Sequence, residues 1–218
     1  MSQSPNPYFQ VGLDVFGRTC LVIGGGAEAA DKTARLLEAG ARLRVVSPAL
    51  CPRLQEWADQ GRLDHHARPW QPADLDGVWL VLNTAGDPLL ADQVYALARE
   101  RRLLINTYDR PECSNLGMAA LVHPGHLRLS ISTSGASPAL ASRLRADLEQ
   151  VFDSEFVDYL DLLAQVRTHL QKTADQTTRI RLLKELVAEF GLEAKLHYPE
   201  GWRERMKGLL AGDPAAGG

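Results

Sequence analysis

The sequence is short of cysteine, of long apolar runs and of surplus positive charge, and each shortage excludes a class of protein. Its three cysteines stand far apart, at positions 20, 51 and 113. This spacing argues against disulfide bonds and a structural zinc site, and it favours a reducing cytoplasm. The longest apolar stretches, such as residues 79–82, are too short to cross a bilayer. The N-terminal segment MSQSPNPYFQ has neither a basic start nor an apolar core, so no secretory signal is expected.

The net charge and the length of the chain narrow the class of protein further. The formal net charge of -3 argues against nucleic acid as the main partner, because proteins that bind it usually carry a basic surplus. With 218 residues, of which 45% are hydrophobic and 23% charged, the chain has the composition of an ordinary globular protein. It is long enough for one domain and a smaller appendage.

Short β-like runs alternate with helix-like runs in the first half of the chain. Strands that alternate with helices require crossover connections, which predicts an α/β fold with a Rossmann-like, doubly wound parallel sheet. The predicted strands cover residues 18–23, 43–46, 63–67, 78–82 and 103–106, and the predicted helices cover 27–38, 50–60 and 88–101.

The pattern changes after Asp109, where two short strands precede a wholly helical stretch. Ser137 can cap the first of these helices, and Pro138 suits its first turn. The predicted elements are strands over 120–122 and 127–132, a helix from Ser137, helical structure from Leu148, a helix from Asp175 to residue 190, and a short helix over 202–210.

These patterns predict three parts of the chain. Residues 1–113 form the Rossmann-like domain, residues 114–147 form a small α+β region, and residues 148–218 form an all-helical C-terminal domain.

A glycine-rich loop follows the first predicted strand and opens the first predicted helix. Gly24 permits a tight turn, Gly26 lets the backbone approach a pyrophosphate, and the small Ala29 allows helix and strand to pack closely. An anion would sit on free N–H groups at the positive end of the helix. The loop predicts a dinucleotide site; the alternative is a tight turn without a ligand. The predicted contacts are Gly24, Gly25, Gly26, Ala27 and Glu28.

The ribose end of this site lacks its usual acid. The second predicted strand ends at Val46, and Ser47 and Pro48 follow where Asp or Glu commonly binds the ribose. Ser47 is predicted to hydrogen-bond the ribose instead, with Pro48 beside it. Without the acid, the sequence leaves the choice between NAD and NADP open.

Four segments carry a family resemblance: LVIGGGAEAADKTARLLEAGARLRVVSP, WLVLNTAGD, LINTYDRPECSN and LRLSISTSGASPALASRLR. Together, from about Tyr8 to Gln150, they resemble the precorrin-2 dehydrogenase family, the NAD-dependent dehydrogenase and ferrochelatase part of sirohaem synthase. The last segment is the most specific, because a plain dinucleotide domain has no reason to carry it.

The resemblance implies an activity and its partners. The implied reaction is NAD-dependent oxidation of precorrin-2 to sirohydrochlorin, with NAD as cofactor and a tetrapyrrole as substrate. It also implies a homodimer, in which residues 114–147 form the dimerisation and substrate region. A chain of 218 residues is not expected to hold the methyltransferase domain that is fused in some sirohaem synthases.

The resemblance also assigns residues to the substrate side. It nominates Asp109 as the general acid or base, near the carboxyl edge of the sheet; the alternative is that Asp109 caps a turn before Pro111. A substrate rich in carboxylates calls for cations and hydroxyls, whereas the alternative for each arginine is a solvated surface position. The predicted substrate residues are Arg110, Arg128, Thr133, Ser134 and Gly135, with Arg143 and Arg145 as further candidates.

Some positions depart from the family pattern. Asp31 stands where an arginine commonly precedes Lys32, and Ala85-Gly86 replaces a Thr-Asp pair near the expected nicotinamide. Asn83, Thr84 and Ala85 are therefore the predicted cofactor contacts there.

Two alternatives to the dehydrogenase stay open. One is a chelatase that inserts Fe(II) or another metal into sirohydrochlorin, which the altered loop at Ala85-Gly86 favours. The other is a non-catalytic dinucleotide-sensing module. No resident metal site is predicted, because His65 and His66 would point to opposite faces of a strand.

Overall fold

The computed structural model describes residues 9–193 and residue 200. The helix predicted over 202–210 lies outside the described residues. Within them, the chain divides into two compact units between Val157 and Asp158. The three-part division made from the sequence stays a prediction.

Five parallel strands form the central sheet, in the order β3-β2-β1-β4-β5. β1 and β4 pair directly, with Val22 opposite Leu82. The chain therefore adds β2 and β3 on one side of β1, then returns to place β4 on the other side of β1 and β5 beyond it. This order confirms the predicted doubly wound topology. The strands are β1 (Thr19–Ile23), β2 (Arg42–Val46), β3 (Asp64–His66), β4 (Leu80–Asn83) and β5 (Leu104–Thr107).

Helices cover both faces of the sheet and give it two apolar layers. Leu36 of α1 (Ala27–Glu38) and Trp57 of α2 (Pro52–Asp59) pack against one face. Val94 of α3 (Pro88–Glu100) packs against the other, together with Leu75 from a 3-10 turn over Pro72–Leu75. Because both faces of the sheet centre are buried, the central strands β1 and β4 are almost continuous apolar runs, and the sequence revealed them for that reason.

The free edge of β5 is covered by the segment that follows it. The side chain of Asn115 accepts from the N–H of Ile105 at 2.8 Å and donates to the carbonyl of Leu103 at 2.9 Å. Ser114 Oγ accepts from the N–H of Thr107 at 2.9 Å. These side chains satisfy the backbone groups that an edge strand would otherwise expose.

Beyond this cover the described residues form a hairpin and three helices, α4 (Pro138–Glu149), α5 (Ser154–Thr173) and α6 (Gln176–Glu185). The antiparallel strands β6 (Ala120–Val122) and β7 (Leu129–Ile131) pair with each other, and α4 packs on both. β7 is shorter than the strand predicted over 127–132, and α6 ends at Glu185 rather than at residue 190.

No helix among residues 9–193 is both long enough and apolar enough to cross a membrane.

Candidate active site

The glycine loop lies at the carboxyl end of β1, where the strand order reverses. Gly24 adopts φ +113°, a conformation that favours glycine. Its N–H donates to the carbonyl of Val46 at 3.0 Å, which ties the loop to β2. A methyl group added at Gly25 would overlap the carbonyl oxygen of Ala49. Glycine is therefore required at position 24 by the backbone conformation and at position 25 by the close approach of the Ala49 carbonyl.

Gly26 differs, because it faces open space. It is the exposed N-cap of α1, and no side chain caps this helix. A methyl group added here would meet nothing within 4 Å. The first N–H groups of α1 therefore lack a capping side chain beside an open surface, which is the arrangement that binds a pyrophosphate. The loop fits a dinucleotide.

At the predicted ribose position, the Ser47 side chain is already engaged. Its hydroxyl donates to the carbonyl of Ala49 at 2.7 Å, and the residue is 8% exposed. His65 Nε2 lies 2.9 Å from the Ser47 carbonyl. Ser47 thus shapes the loop that packs on Gly25 and retains only hydroxyl lone pairs for a ribose. Pro48 is exposed next to it.

The loop after β4 is fastened to the glycine loop. Thr84 Oγ1 donates to the carbonyl of Ile23 at 3.0 Å, and a methyl group at Gly24 would overlap this hydroxyl. Asn83 is buried, and its Oδ1 accepts from the N–H of Ala85 at 3.2 Å. Both side chains hold the shape of the loop, so the contact they offer a nicotinamide is mainly the backbone of this turn.

Asp109 stands close by, two residues beyond β5. The N–H of Tyr108 donates to the carbonyl of Asn83 at 2.8 Å, which fixes the start of this turn against β4. Asp109 is exposed and adopts φ +55°, a left-handed conformation that Asp tolerates better than most residues. Among residues 9–193 its carboxylate has no hydrogen-bond or ion-pair partner. The Asp109 side chain is thus an unpaired carboxylate at the carboxyl edge of the parallel sheet.

Arg110, the neighbouring substrate candidate, is held in an acidic cluster. Its Nε pairs with Glu112, and its Nη2 lies 3.4 Å from Asp92 Oδ1. The thiol of the buried Cys113 also donates to Asp92, at 3.2 Å. Burial is the main cause that raises the pKa of this thiol, and the bond to Asp92 adds to it. Arg110 would have to exchange these partners for a substrate carboxylate.

The structure does not bring Arg128 to this edge within one chain. Its guanidinium pairs with Glu38 at 3.0 Å, at the C-terminal end of α1. The 12 residues of α1 separate that end from the glycine loop by about 18 Å.

The remaining substrate candidates form the turn between β7 and α4. Ser134 and Gly135 both have positive φ, at 52° and 84°. Thr133 Oγ1 accepts from the N–H of Ser137 at 3.1 Å, and Ser137 caps α4 through the N–H of Leu140. The geometry of this turn is set by its own hydrogen bonds, and its role in binding substrate stays a prediction.

Sequence reasoning did not single out Lys32, which is 8% exposed on α1. Its Nζ lies 3.1 Å from Glu28 Oε1, 3.4 Å from Asn106 Oδ1 and 3.6 Å from Met118 Sδ. The ammonium thus joins α1 to β5 and to the segment that follows it. The sequence did contain a signal for the burial of Lys32, because this residue lies three positions after Ala29 on the buried face of the helix.

No group of three or more His, Cys, Asp and Glu residues within the described part of the chain is arranged to hold a metal ion.

Comparison with known proteins identifies the domain that carries the glycine loop. The NAD(P)-binding family NAD-binding 7 matches residues 11–120. The chain belongs to this family. The match confirms the predicted NAD(P) dinucleotide cofactor. A second family model, that of the central part of the sirohaem biosynthesis protein, matches residues 125–150 of this NAD(P)-binding chain.

Relatives of this NAD(P)-binding chain are sirohaem synthases. That of Nitrosococcus oceani is 30% identical over 93% of the chain and 43% of the relative. Siroheme synthase 1 of Aeromonas hydrophila is 31% identical over 81% of the chain and 38% of the relative. The chain therefore spans less than half the length of these curated relatives. These matches confirm the family resemblance seen in the sequence.

A solved structure resembles most of this chain. SirC, a precorrin-2 dehydrogenase, superposes with a TM-score of 0.70 and is 27% identical over 84% of this chain and 90% of that one.

Proposed function

We propose that this chain oxidises precorrin-2 to sirohydrochlorin, with NAD as the hydride acceptor. The observation that carries the proposal is the similarity to SirC, which extends beyond the dinucleotide domain to 84% of the chain. A dinucleotide domain alone would support any of many dehydrogenases. The central sirohaem biosynthesis family at residues 125–150 narrows the substrate to a tetrapyrrole.

The reaction removes one hydride and one proton from the macrocycle. When bound, NAD supplies the acceptor for the hydride. The open first turn of α1 beside Gly26 binds its pyrophosphate through backbone N–H groups. The turn of Asn83 and Thr84, bonded to β1, presents a fixed backbone to the nicotinamide half.

Asp109 takes the proton in this proposal. A general base must be ionised and within reach of the proton it abstracts. The carboxylate of Asp109 is exposed and unpaired among the described residues, and its turn is bonded to the end of β4. Substrate carboxylates are bound in this proposal by Arg110 and by the turn of Thr133, Ser134 and Gly135. Arg128, which pairs with Glu38 far from this edge in its own chain, binds them from the other protomer of the dimer.

The active form in this proposal is a homodimer in the cytoplasm, without nucleic acid or membrane partners. Large apolar side chains of α5 and α6 and of the residue after α6 are exposed in the single chain, among them Leu162, Ile180 and Leu186. A second copy would remove such surface from water. Cys20, Cys51 and Cys113 are all free thiols, which agrees with a reducing compartment.

The test is turnover of anaerobically prepared precorrin-2 with NAD, followed by the sirohydrochlorin spectrum and by NADH. Asp109→Asn should lower kcat by about 10²–10⁴-fold, because proton transfer loses its base, while the Kd for NAD stays unchanged. Asp76→Asn is the matched control, since Asp76 is an exposed carboxylate at the amino end of β4.

Other results of this experiment would change either the assignment of Asp109 or the proposed function. Full turnover in Asp109→Asn would keep the dehydrogenase and remove Asp109 as the base. Absence of oxidation by the unmodified protein would overturn the proposed function. Addition of Fe(II) to sirohydrochlorin would then distinguish a chelatase from a dinucleotide-sensing module.

A further inference from the structure

An exposed tyrosine stands directly beside the proposed base. Tyr108 precedes Asp109 in the turn after β5, and it is 50% exposed. Its N–H donates to the carbonyl of Asn83 at 2.8 Å, so its backbone is fixed where β4 and β5 end together. A tyrosine side chain has only two torsions to order, so an exposed one offers a ligand a large apolar surface at a low entropic cost.

The ring of Tyr108 is oriented from α1 by Lys32. The ammonium nitrogen lies 5.8 Å from the centroid of the ring, within the range of a cation–π contact. Lys32 is 8% exposed, and its ammonium is held by Glu28 at 3.1 Å and by Asn106 at 3.4 Å. The ring is therefore set against a fixed cation, and its exposed part is accessible to a ligand at the carboxyl edge of the sheet.

A second apolar side chain is exposed at the same edge. Leu89 lies in the first turn of α3, which begins after the loop at the end of β4, and it is 76% exposed. Asp92 follows three positions later on the same side of the helix, and its carboxylate lies 3.4 Å from the guanidinium of Arg110. Leu89 therefore lies on the side of α3 that borders the turn of Tyr108 and Asp109.

A tetrapyrrole presents two kinds of surface to a binding site. Its carboxylates form a charged rim, and the groups proposed above for this rim are arginines and the turn of Thr133, Ser134 and Gly135. The faces of the macrocycle are carbon-rich, and such polar groups gain little from contact with them. An aromatic side chain packs well against a conjugated ring by offset stacking. Tyr108 has the chemistry that the face of the macrocycle requires.

We propose that Tyr108 is a substrate-contact residue, whose ring packs against one face of the tetrapyrrole macrocycle beside Asp109. Leu89 extends this apolar surface from α3. The proposal rests on the proposed function, and it adds a contact for the face of the macrocycle to the contacts for its carboxylates. Tyr108 therefore acts on the binding of the macrocycle rather than on the transfer of the proton.

The experiment is anaerobic titration of sirohydrochlorin into the full chain, followed by the absorption of the macrocycle, together with turnover of precorrin-2. Tyr108→Ala should raise the Kd for sirohydrochlorin and the KM for precorrin-2 by about fivefold to tenfold, because an aromatic contact is lost. The kcat and the Kd for NAD should each change by less than about twofold. Leu89→Ala should raise the Kd for sirohydrochlorin by about threefold, because less apolar area is lost.

Two further variants serve as controls. The hydroxyl of Tyr108 has no hydrogen-bond partner among residues 9–193, so Tyr108→Phe should bind sirohydrochlorin as the unmodified protein does. Phe16→Ala is the matched control, because Phe16 is also an exposed aromatic residue but lies before the amino end of β1, at the opposite edge of the sheet. This variant should leave the Kd for sirohydrochlorin and the Kd for NAD unchanged.

Three results would overturn the proposal. An unchanged Kd for sirohydrochlorin in Tyr108→Ala would show that the ring does not contact the macrocycle. An equal rise in the Kd for NAD would place the ring against the nicotinamide instead. A loss in Tyr108→Phe as large as that in Tyr108→Ala would assign the contact to the hydroxyl. If the unmodified protein binds NAD but neither binds sirohydrochlorin nor oxidises precorrin-2, the proposed function falls as well, whereas unchanged turnover and binding in Tyr108→Ala would remove this inference alone.

Discussion

The parallel sheet and the helices α5 and α6 differ in how deeply their apolar side chains are buried. Nearly all buried apolar side chains lie between Val15 and Cys113, and the only others among the described residues are Val122 and Ala141. α5 and α6 contain no buried residue at all. The sheet region therefore has its own core, whereas these helices have apolar side chains without a core.

Half-buried apolar side chains line a groove between α5 and α6. They are Val166, Leu170 and Leu182, with the exposed Leu186 beside them. Tyr159 stacks on Phe190 at 5.6 Å and donates to the carbonyl of Leu186 at 2.8 Å. The two helices thus pack on each other locally and leave their other apolar residues for a further surface. The difference teaches that the sheet region holds the buried apolar core among the described residues, so we expect stability to reside there.

The largest expected effect is in the sheet. Leu82→Ala should lower the free energy of unfolding by about 3 kcal/mol, because Leu82 is 1% exposed and its loss leaves a cavity. Urea unfolding followed by circular dichroism measures this change. A loss below about 1 kcal/mol would mean that the sheet core collapses around the cavity or is not the main source of stability.

A smaller effect is expected at the buried carboxylate of Asp74, which accepts two hydrogen bonds from Arg68, at 2.6 and 2.9 Å. Asp74→Asn should lower the free energy of unfolding by about 2 kcal/mol at pH 7. The hydrogen bond from Arg68 is the main cause that lowers the pKa of Asp74.

The pH dependence of this effect follows from the lowered pKa. A carboxyl whose pKa is lower in the folded state stabilises the fold above its unfolded pKa of about 3.9, and this contribution is lost as the pH falls through the folded pKa. Unfolding at pH 7 and at pH 3 should therefore show a smaller difference between wild type and Asp74→Asn at pH 3. Asp76→Asn, at an exposed ion pair, is the control. An equal difference at both pH values would contradict the ionic origin.

The smallest effect is expected in the helices. Leu162 is 59% exposed, so Leu162→Ala should change the unfolding free energy of a dilute single chain by less than about 0.5 kcal/mol. Sedimentation at increasing protein concentration tests the proposed homodimer, and Leu162→Asp should weaken any self-association. A concentration-independent single chain would contradict the dimer and would sharpen the contrast between the two regions.

The sequence predicted the sheet because its strands are buried on both faces. All five strands and the first three helices were found with small errors at their ends. α2 begins at Pro52 rather than at residue 50, because Cys51 is its N-cap. The weakest prediction was β3, an edge strand whose three residues are all polar and none of them buried. The 3-10 turn over Pro72–Leu75 was not predicted, because a single turn has no periodicity to detect.

The candidate site was less predictable, because it depends on contacts between distant parts of the chain. The glycine loop follows from local sequence alone. Lys32, in contrast, contacts Asn106 and Met118, and no local pattern reports such partners. The pairing of Arg128 with Glu38 was equally hidden, since it depends on where the hairpin packs.

The side-chain cover of β5 has a consequence for synthesis. A chain made from its N-terminus exposes the edge of its sheet until the residues that seal it leave the ribosome. Here the seal at Ser114 and Asn115 follows the strand by only a few residues. At roughly 5–20 residues per second, the unsealed edge lasts about two seconds or less. The nascent chain is thus protected from pairing with its neighbours on a polysome before its helical half has been made.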